Sequence, residues 1–220
     1  TGSGANPGGE SSARAVGPPL LAGMLLPEDV ALGSINHALG FAIPGPRNLS
    51  SDPFEVLQTD YFYPASTTET DFYSIDPDAL AAGQRIRLKQ TIVDEDDRVI
   101  DESGLAPITQ MYLAALRNYG AYLIDNAGGF VFEAEDIHTA NLQLSDDEIN
   151  ELIGQPAGTP LPAGQTKWQI VIARLVKDIE LIPVASGPWG EYGPGLQDPA
   201  TATFQTSNFE VVEPATVPSP

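Results

Sequence analysis

The chain has 220 residues, enough for one packed core, and its 30 acidic against 10 basic residues give a net charge of −20. Nucleic acids and anionic membrane surfaces both require a basic protein surface, so this charge argues against either as a partner. The sequence contains no run of about 18 apolar residues, which is the length that a helix needs to span a bilayer. The absence of cysteine excludes disulfides, thiolate nucleophiles and zinc–thiolate sites.

Small, polar and proline residues dominate both ends of the chain. Residues 1–12 have the composition of a flexible lead, and residues 213–220 that of a Pro-rich extended tail. We therefore expect a single β-rich domain over residues 13–212. The acidic excess and the linker-like ends favour a secreted, extracellular bacterial protein.

The first half of the domain predicts a short helix followed by strands. Pro27 opens a helix of one to two turns that Gly33 closes, with acidic residues in its first turn. Apolar residues alternate over 35–43 and again over 85–93, which predicts two strands with one face toward the core. Residues 61–64 resemble a short strand, and residues 76–83 a helical turn.

The second half predicts one long helix among further strands. Apolar residues over 107–119 follow helical spacing, whereas 121–124 and 130–132 read as a hairpin. Ser145 begins a capped short helix. Alternation over 167–173 favours a strand, and a last strand is expected within 204–212. Several strands, a few short helices and many Pro/Gly turns predict a mainly β fold, sandwich or jelly-roll-like.

Five short motifs follow one another along the chain, and together they carry a resemblance to known sequences. They are Ile-Asn-His-Ala-Leu-Gly-Phe at 35–41, Tyr63-Pro64-Ala65, Arg-Ile-Arg-Leu-Lys at 85–89, Leu-Arg-Asn-Tyr-Gly at 116–120, and Asp125-Asn126. Over residues 16–154 this pattern resembles a largely uncharacterised group of secreted bacterial β-rich proteins. The resemblance implies secretion and a β-rich fold. Members of that group often carry Trp in place of Tyr63 and a His shortly after the Pro-Ala pair, where this chain has Ser66 and Thr67.

Three cations occupy alternate positions of the predicted strand at 85–93. Arg85, Arg87 and Lys89 point to the side opposite its apolar residues. Guanidinium groups bind planar anions in a bidentate manner, so this row is a candidate site for carboxylates or sulfates. The alternative is an ordinary solvated strand face that offsets the acidic turn at 94–97.

Three other residues are candidates for catalysis. His37 lies among apolar residues on the predicted core face of its strand, where it could act as a general base in a cleft. Tyr63 is a candidate acid or base, and Asp125 stands at a strand-to-turn junction that could present a carboxylate. The alternatives are a buried histidine bonded to backbone and an aspartate that only forms a turn.

Trp189 and Tyr192 lie in a Gly/Pro-rich loop over 187–195. Exposed aromatic rings of this kind stack on sugars or bind another subunit, and the alternative is that they fold back onto the core. With the basic row, these two residues complete the predicted ligand-binding set.

Acidic clusters at 94–97, 133–136 and 146–148 offer carboxylate oxygens of the kind that calcium prefers, but none has EF-hand spacing. Calcium is therefore the one cofactor left open, with no residue assigned as a metal ligand. The chain also contains no nucleophile elbow, P-loop, dinucleotide motif or zinc-protease motif.

The sequence thus favours a secreted protein that binds or processes an acidic or sulfated polysaccharide, and it leaves open whether the protein is an enzyme. The alternative is a non-catalytic structural or interaction subunit of an extracellular assembly. For that alternative the expected partner is an N-terminal partner segment or a second copy of this chain.

Overall fold

The computed structural model describes residues 14, 16–50, 57, 59–68, 73–182 and 208–212. These ranges contain five strands and four α-helices: α1 (Pro27–Ala31), β1 (Leu39–Ile43), β2 (Arg85–Leu88), α2 (Pro107–Asn118), β3 (Ala121–Asn126), β4 (Val131–Phe132), α3 (Asp146–Leu152), α4 (Lys167–Ile179) and β5 (Phe209–Val212). A single 3-10 turn at Glu102–Gly104 precedes α2. The predicted lead over 1–12 and the tail over 213–220 lie outside the described residues.

The strands form one sheet in the order β4-β1-β3-β2-β5, curled into a half-barrel. β1 and β3 run parallel, and the other neighbouring pairs are antiparallel. Helical residues make up 25% and strand residues 18% of the part that the structure describes, so the fold is mixed α/β and the predicted sandwich or jelly roll is wrong. In a sandwich a second sheet would cover the apolar face, whereas here α2 packs on β2 and against α4.

The main cause of this error is α4, which the alternation over 167–173 predicted as a strand. Trp168, Val171, Leu175 and Asp178 are all buried, and their spacing of three, four and three residues defines one face of a helix. The apparent period of two arose because Ile170 and its neighbours flank that face. Thr166 caps the helix by accepting a hydrogen bond from the N–H of residue 169.

The predicted hairpin between 121–124 and 130–132 is also wrong. Both segments are strands, but β1 lies between them: Leu39 pairs with Ala121 of β3, and Phe41 pairs with Phe132 of β4. Alternation identifies a strand without identifying its neighbour. The chain therefore leaves β3 and crosses to the far side of β1 before it forms β4.

Several other predicted elements are confirmed, most of them at shorter lengths, and two are not. α1, α2 and the helix capped by Ser145 are present, and β5 lies within the expected 204–212. Within 35–43 only the last five residues form a strand, and all five are buried. The segment before α1 lies against this strand, where the Gly40 N–H donates to the Gly23 carbonyl at 2.7 Å. Residues 61–64 contribute only a single bridge from Tyr61, and 76–83 form turns without a helix.

The helices are joined by a buried carboxylate. Asp178 on α4 accepts hydrogen bonds from the Ala106 N–H at 2.9 Å and from the Thr109 hydroxyl at 2.8 Å, both at the start of α2. Ala106 has no cap of its own from its side chain, so Asp178 caps α2 from another helix. This contact fixes α2 relative to α4. Over the ranges described, no helix is long and apolar enough to cross a membrane.

Candidate functional site

A pocket of about 480 Å³ opens between α4 and the segment that contains β4. Its walls are mostly apolar and come from α4, from β4 and from the segment before α1; they include Leu25, Val131, Ile172, Leu175, Val176 and Ile179. Val131 and Val176 remain about half exposed at its edge. Pockets of a few hundred Å³ with apolar walls are typical sites for small ligands.

Three aromatic residues line this pocket: Tyr112, Phe130 and Phe132. The Phe132 ring meets the Phe130 ring edge-on at 5.1 Å and the Tyr112 ring at 5.4 Å, measured between centroids. Phe41 of β1 stacks behind Phe130 at 5.3 Å. These contacts hold the rings in fixed positions, because each ring is buttressed by a neighbour.

Tyr112 supplies a polar group within this aromatic cluster. Its side chain is 1% exposed, and burial raises its pKa well above the ordinary value. In the described part of the chain the Tyr112 hydroxyl forms no hydrogen bond, and it is not one of the fully buried polar atoms, so it keeps some access to solvent. The hydroxyl is therefore available to a ligand in the pocket that it lines.

Two carboxylates complete the polar lining, Glu133 and Glu180. Glu133 accepts a hydrogen bond from Arg14, whose buried guanidinium also donates to the carbonyls of Pro19 and Ala22. Burial raises the pKa of Glu133; the charge of Arg14 opposes this rise and the charge of Asp125 adds to it.

Glu180 differs from Glu133 in exposure and in partners. It stands at the C-cap of α4 and is exposed. In the part of the chain that the structure describes, no cation pairs with the Glu180 carboxylate, and no Lys, Arg or His lines the pocket. The pocket therefore combines an apolar aromatic body, one free hydroxyl and a mouth with negative charge.

His37, predicted on a core face, lies between α1 and β1 with 36% of its side chain exposed. Its Nδ1 contacts the Ala38 carbonyl at 2.9 Å and its Nε2 contacts Asp29 at 3.0 Å. Burial lowers the pKa of His37, but these two acceptors outweigh burial and the pKa is raised. Satisfying both acceptors at once requires a proton on each nitrogen, which is the form that the raised pKa favours.

The three predicted catalytic residues do not converge. Asp125 pairs in the sheet with Ala42 of β1. Ala42 is five residues along the chain from His37, and five residues of extended backbone span roughly 16 Å. Asp125 is half-buried at the carboxyl end of β3, whereas His37 lies before the amino end of the parallel strand β1. Tyr63 is 91% exposed in a loop. None of the three lines the pocket.

The predicted basic row has partners within the sheet. The Arg85 guanidinium lies 5.9 Å from the centroid of the Tyr122 ring, and Arg87 forms an ion pair with Glu210 of β5 at 2.6 Å. Lys89 lies beyond the end of β2, where its N–H donates to the Asn208 carbonyl at 2.8 Å.

Trp189 and Tyr192 lie outside the described residues, so their predicted role is not addressed by the structure. Within the described ranges, no three His, Asp or Glu side chains come together as a metal ion would require. Calcium binding therefore stays a prediction from the sequence.

The residues of the pocket were missed for identifiable reasons. Tyr112 is part of the helical pattern that predicted α2, but such a pattern does not distinguish a core residue from a pocket residue. Ile172 and Ile179 belong to α4, whose first half the alternation predicts as a strand, and Phe130 and Phe132 lie in the predicted hairpin that does not form. Comparison with known proteins adds no further assignment, because no family model, no curated protein and no solved structure matches the chain.

Proposed function

We propose that this protein binds a small, largely apolar molecule in the pocket between α4 and β4. The observation that carries the proposal is a cavity of about 480 Å³ whose described lining includes three aromatic residues, one of which, Tyr112, has a hydroxyl without a partner in the described chain. Transfer of an apolar body from water to such walls is favourable by about 25 cal/mol per Å² of apolar surface.

Two features of the pocket support the proposal: its walls are held on packed helices, and its rim is open to solvent. α2 and α4 provide the floor and one wall, and Asp178 holds the two helices together. A pocket on fixed helices pays less ordering entropy on binding than a site built from loops. Its rim remains open, since Val131 and Val176 are 44% and 49% exposed.

A fragment-sized probe tests this proposal without knowledge of the natural ligand. We expect 2-naphthalenemethanol, which has 12 heavy atoms, to bind with a dissociation constant on the order of 0.1–1 mM, from an efficiency of roughly 0.4 kcal/mol per atom. Isothermal titration calorimetry measures the affinity, and NMR shifts of the isoleucine and valine methyl groups locate the site.

Two variants separate binding in the pocket from binding elsewhere. Val176→Trp fills the edge of the pocket from a half-exposed position, so we expect it to weaken binding at least tenfold. Ala173→Trp adds the same ring to an exposed position of α4 that does not line the pocket, and we expect it to bind as the parent does. Equal binding by both variants would refute the proposal.

A second candidate function is the binding of an acidic or sulfated polysaccharide by the outer face of β2. The observation in its favour is the arginine–aromatic pair of Arg85 and Tyr122, because sugar rings stack on aromatic faces and guanidinium binds anions. The ion pair of Arg87 with Glu210 weighs against it, since an anionic ligand would have to displace that carboxylate.

A depletion assay on uronate and sulfated polysaccharides tests this second candidate. If the site exists, Arg85→Ala reduces retention several-fold, whereas Arg98→Ala, which removes an exposed arginine from a turn, leaves retention unchanged. Equal retention of the two variants would remove the candidate. If both variants lose retention to the same extent, the polysaccharide is held by nonspecific charge attraction, and the candidate site at Arg85 is likewise refuted.

A further inference from the structure

We propose that the molecule bound between α4 and β4 is an organic cation, an amine carried on an apolar or aromatic body, and that Glu180 selects for its charge. This inference rests on the proposed binding function and specifies its ligand class. It follows from the charge distribution around the pocket, from its aromatic lining, and from the different partners of its two carboxylates.

The charges that face the pocket are all negative or already neutralised. Among the described lining residues, Glu133, Glu180 and Tyr112 are the only ionisable ones, and none is a cation. An anionic ligand would meet uncompensated repulsion at the mouth. A cation gains attraction there, and the low dielectric of the apolar walls strengthens it.

The aromatic lining favours the same class of ligand. The faces of aromatic rings carry negative potential, and ammonium groups within about 6 Å of a ring centroid are attracted to them. Tyr112, Phe130 and Phe132 pack edge-to-face against one another and line the pocket with planes of different orientation. An ammonium group in the pocket would be attracted to the ring faces that line it.

The two carboxylates have different roles. Arg14 donates to Glu133 and is itself fully buried, so Glu133 already has a fixed counter-charge. Glu180 has no cationic partner among the described residues and lies at the exposed end of α4. The charge that a ligand can still neutralise is therefore that of Glu180. The Tyr112 hydroxyl, free of partners in the described chain, can in addition hydrogen-bond a polar group on the ligand.

Three probes that share one ring system isolate the effect of charge. They are 2-naphthylmethylamine, 2-naphthalenemethanol and 2-naphthoate, titrated into the full chain by calorimetry at pH 7 and low ionic strength. We expect the amine to bind about tenfold more tightly than the alcohol and the carboxylate to bind most weakly. The preference for the amine should shrink as salt is added, because the mouth of the pocket is exposed.

A conservative substitution tests Glu180 itself. Glu180→Gln is expected to weaken the amine about threefold and to leave the alcohol unchanged, while Glu151→Gln, at an exposed position of α3, changes neither. Because the protein is strongly acidic overall, Glu151→Gln controls for general attraction of cations.

The outcomes distinguish this inference from the proposed function on which it rests. Equal affinity for amine and alcohol, or an amine preference that Glu180→Gln leaves intact, overturns the inference while binding in the pocket stands. No binding of any probe, or binding that Val176→Trp does not weaken, overturns the proposed function itself.

Discussion

Replacing Asp178 with alanine removes the contact that joins α4 to the start of α2. The side chain is 6% exposed, accepts two hydrogen bonds at 2.9 and 2.8 Å, and forms an ion pair with Arg174 at 3.1 Å. We expect Asp178→Ala to lower the free energy of unfolding substantially, because the Ala106 N–H and the Thr109 hydroxyl are left buried without an acceptor.

The expected loss is about 3 kcal/mol. A hydrogen bond to a charged group contributes roughly 1.5–3 kcal/mol, and loss of one partner of a buried ion pair costs about 3–5 kcal/mol. The lower end applies, since the partly exposed Arg174 can turn toward water once its partner is gone. At roughly 2–4 °C per kcal/mol for a domain of this size, Tm should fall by about 6–12 °C.

Urea denaturation followed by circular dichroism measures this loss. Asp178→Asn retains an acceptor of similar shape and should lose about 1–2 kcal/mol, and Lys177→Ala, at the neighbouring exposed position, should stay within about 0.5 kcal/mol of the parent. A loss below about 1 kcal/mol for Asp178→Ala would show that the helices are held by apolar packing alone, and the reasoning would fail.

Two further stability predictions concern other parts of the fold. The pKa of His37 is raised in the folded protein, where Asp29 is one acceptor, so the protonated form of His37 stabilises the fold. This stabilisation is complete below pH 6.5, the pKa in the unfolded chain, and is lost as the pH rises through the pKa in the folded protein. The difference in free energy of unfolding between the parent and His37→Gln should therefore shrink from pH 5.5 to 8.5, and a pH-independent difference would contradict it. Gly83→Ala should destabilise by at least about 2 kcal/mol more than Gly158→Ala, measured by urea denaturation. Both glycines have φ near +75°, but only at Gly83 would a Cβ lie 1.7 Å from the Phe62 carbonyl oxygen, so equal losses would refute the steric argument.

The three helices α1, α2 and α3 could be predicted from short stretches of sequence, because their formation depends on residues that are close together in the chain. Pro27 and Gly33 bracketed α1, helical spacing predicted α2, and the serine–glutamate pattern at Ser145 predicted α3. Each of these rests on capping or on one apolar face, which can be read within about ten residues.

The sheet could not be predicted in the same way, because strand partners are chosen by contacts distant in sequence. β1 separates β3 from β4, and no local pattern in 121–132 records that arrangement. The pocket depends on the same contacts: Tyr112 comes from α2, Phe132 from β4 and Ile172 from α4. Its members are ordinary apolar and aromatic residues, and only the three-dimensional arrangement distinguishes them from the core.

Most of the candidate residues in the sequence are charged or titratable groups, and the structure gives several of them local partners. Asp29 and the Ala38 carbonyl occupy both nitrogens of His37, and Glu210 occupies Arg87. A sequence shows that such a group exists, but not which neighbour will satisfy it. This is why the proposed site lies elsewhere in the molecule.

The measurement that tests the central claim most directly is a set of intermolecular NOEs between 2-naphthylmethylamine and the methyl groups of the protein. Binding in the pocket predicts NOEs from the naphthyl protons to the methyl groups of Ile172 and Val176, which line it, and none to Val99, which is exposed elsewhere. NOEs that favour Val99, or none to Ile172 and Val176 at saturating amine, would show that this pocket is not a binding site.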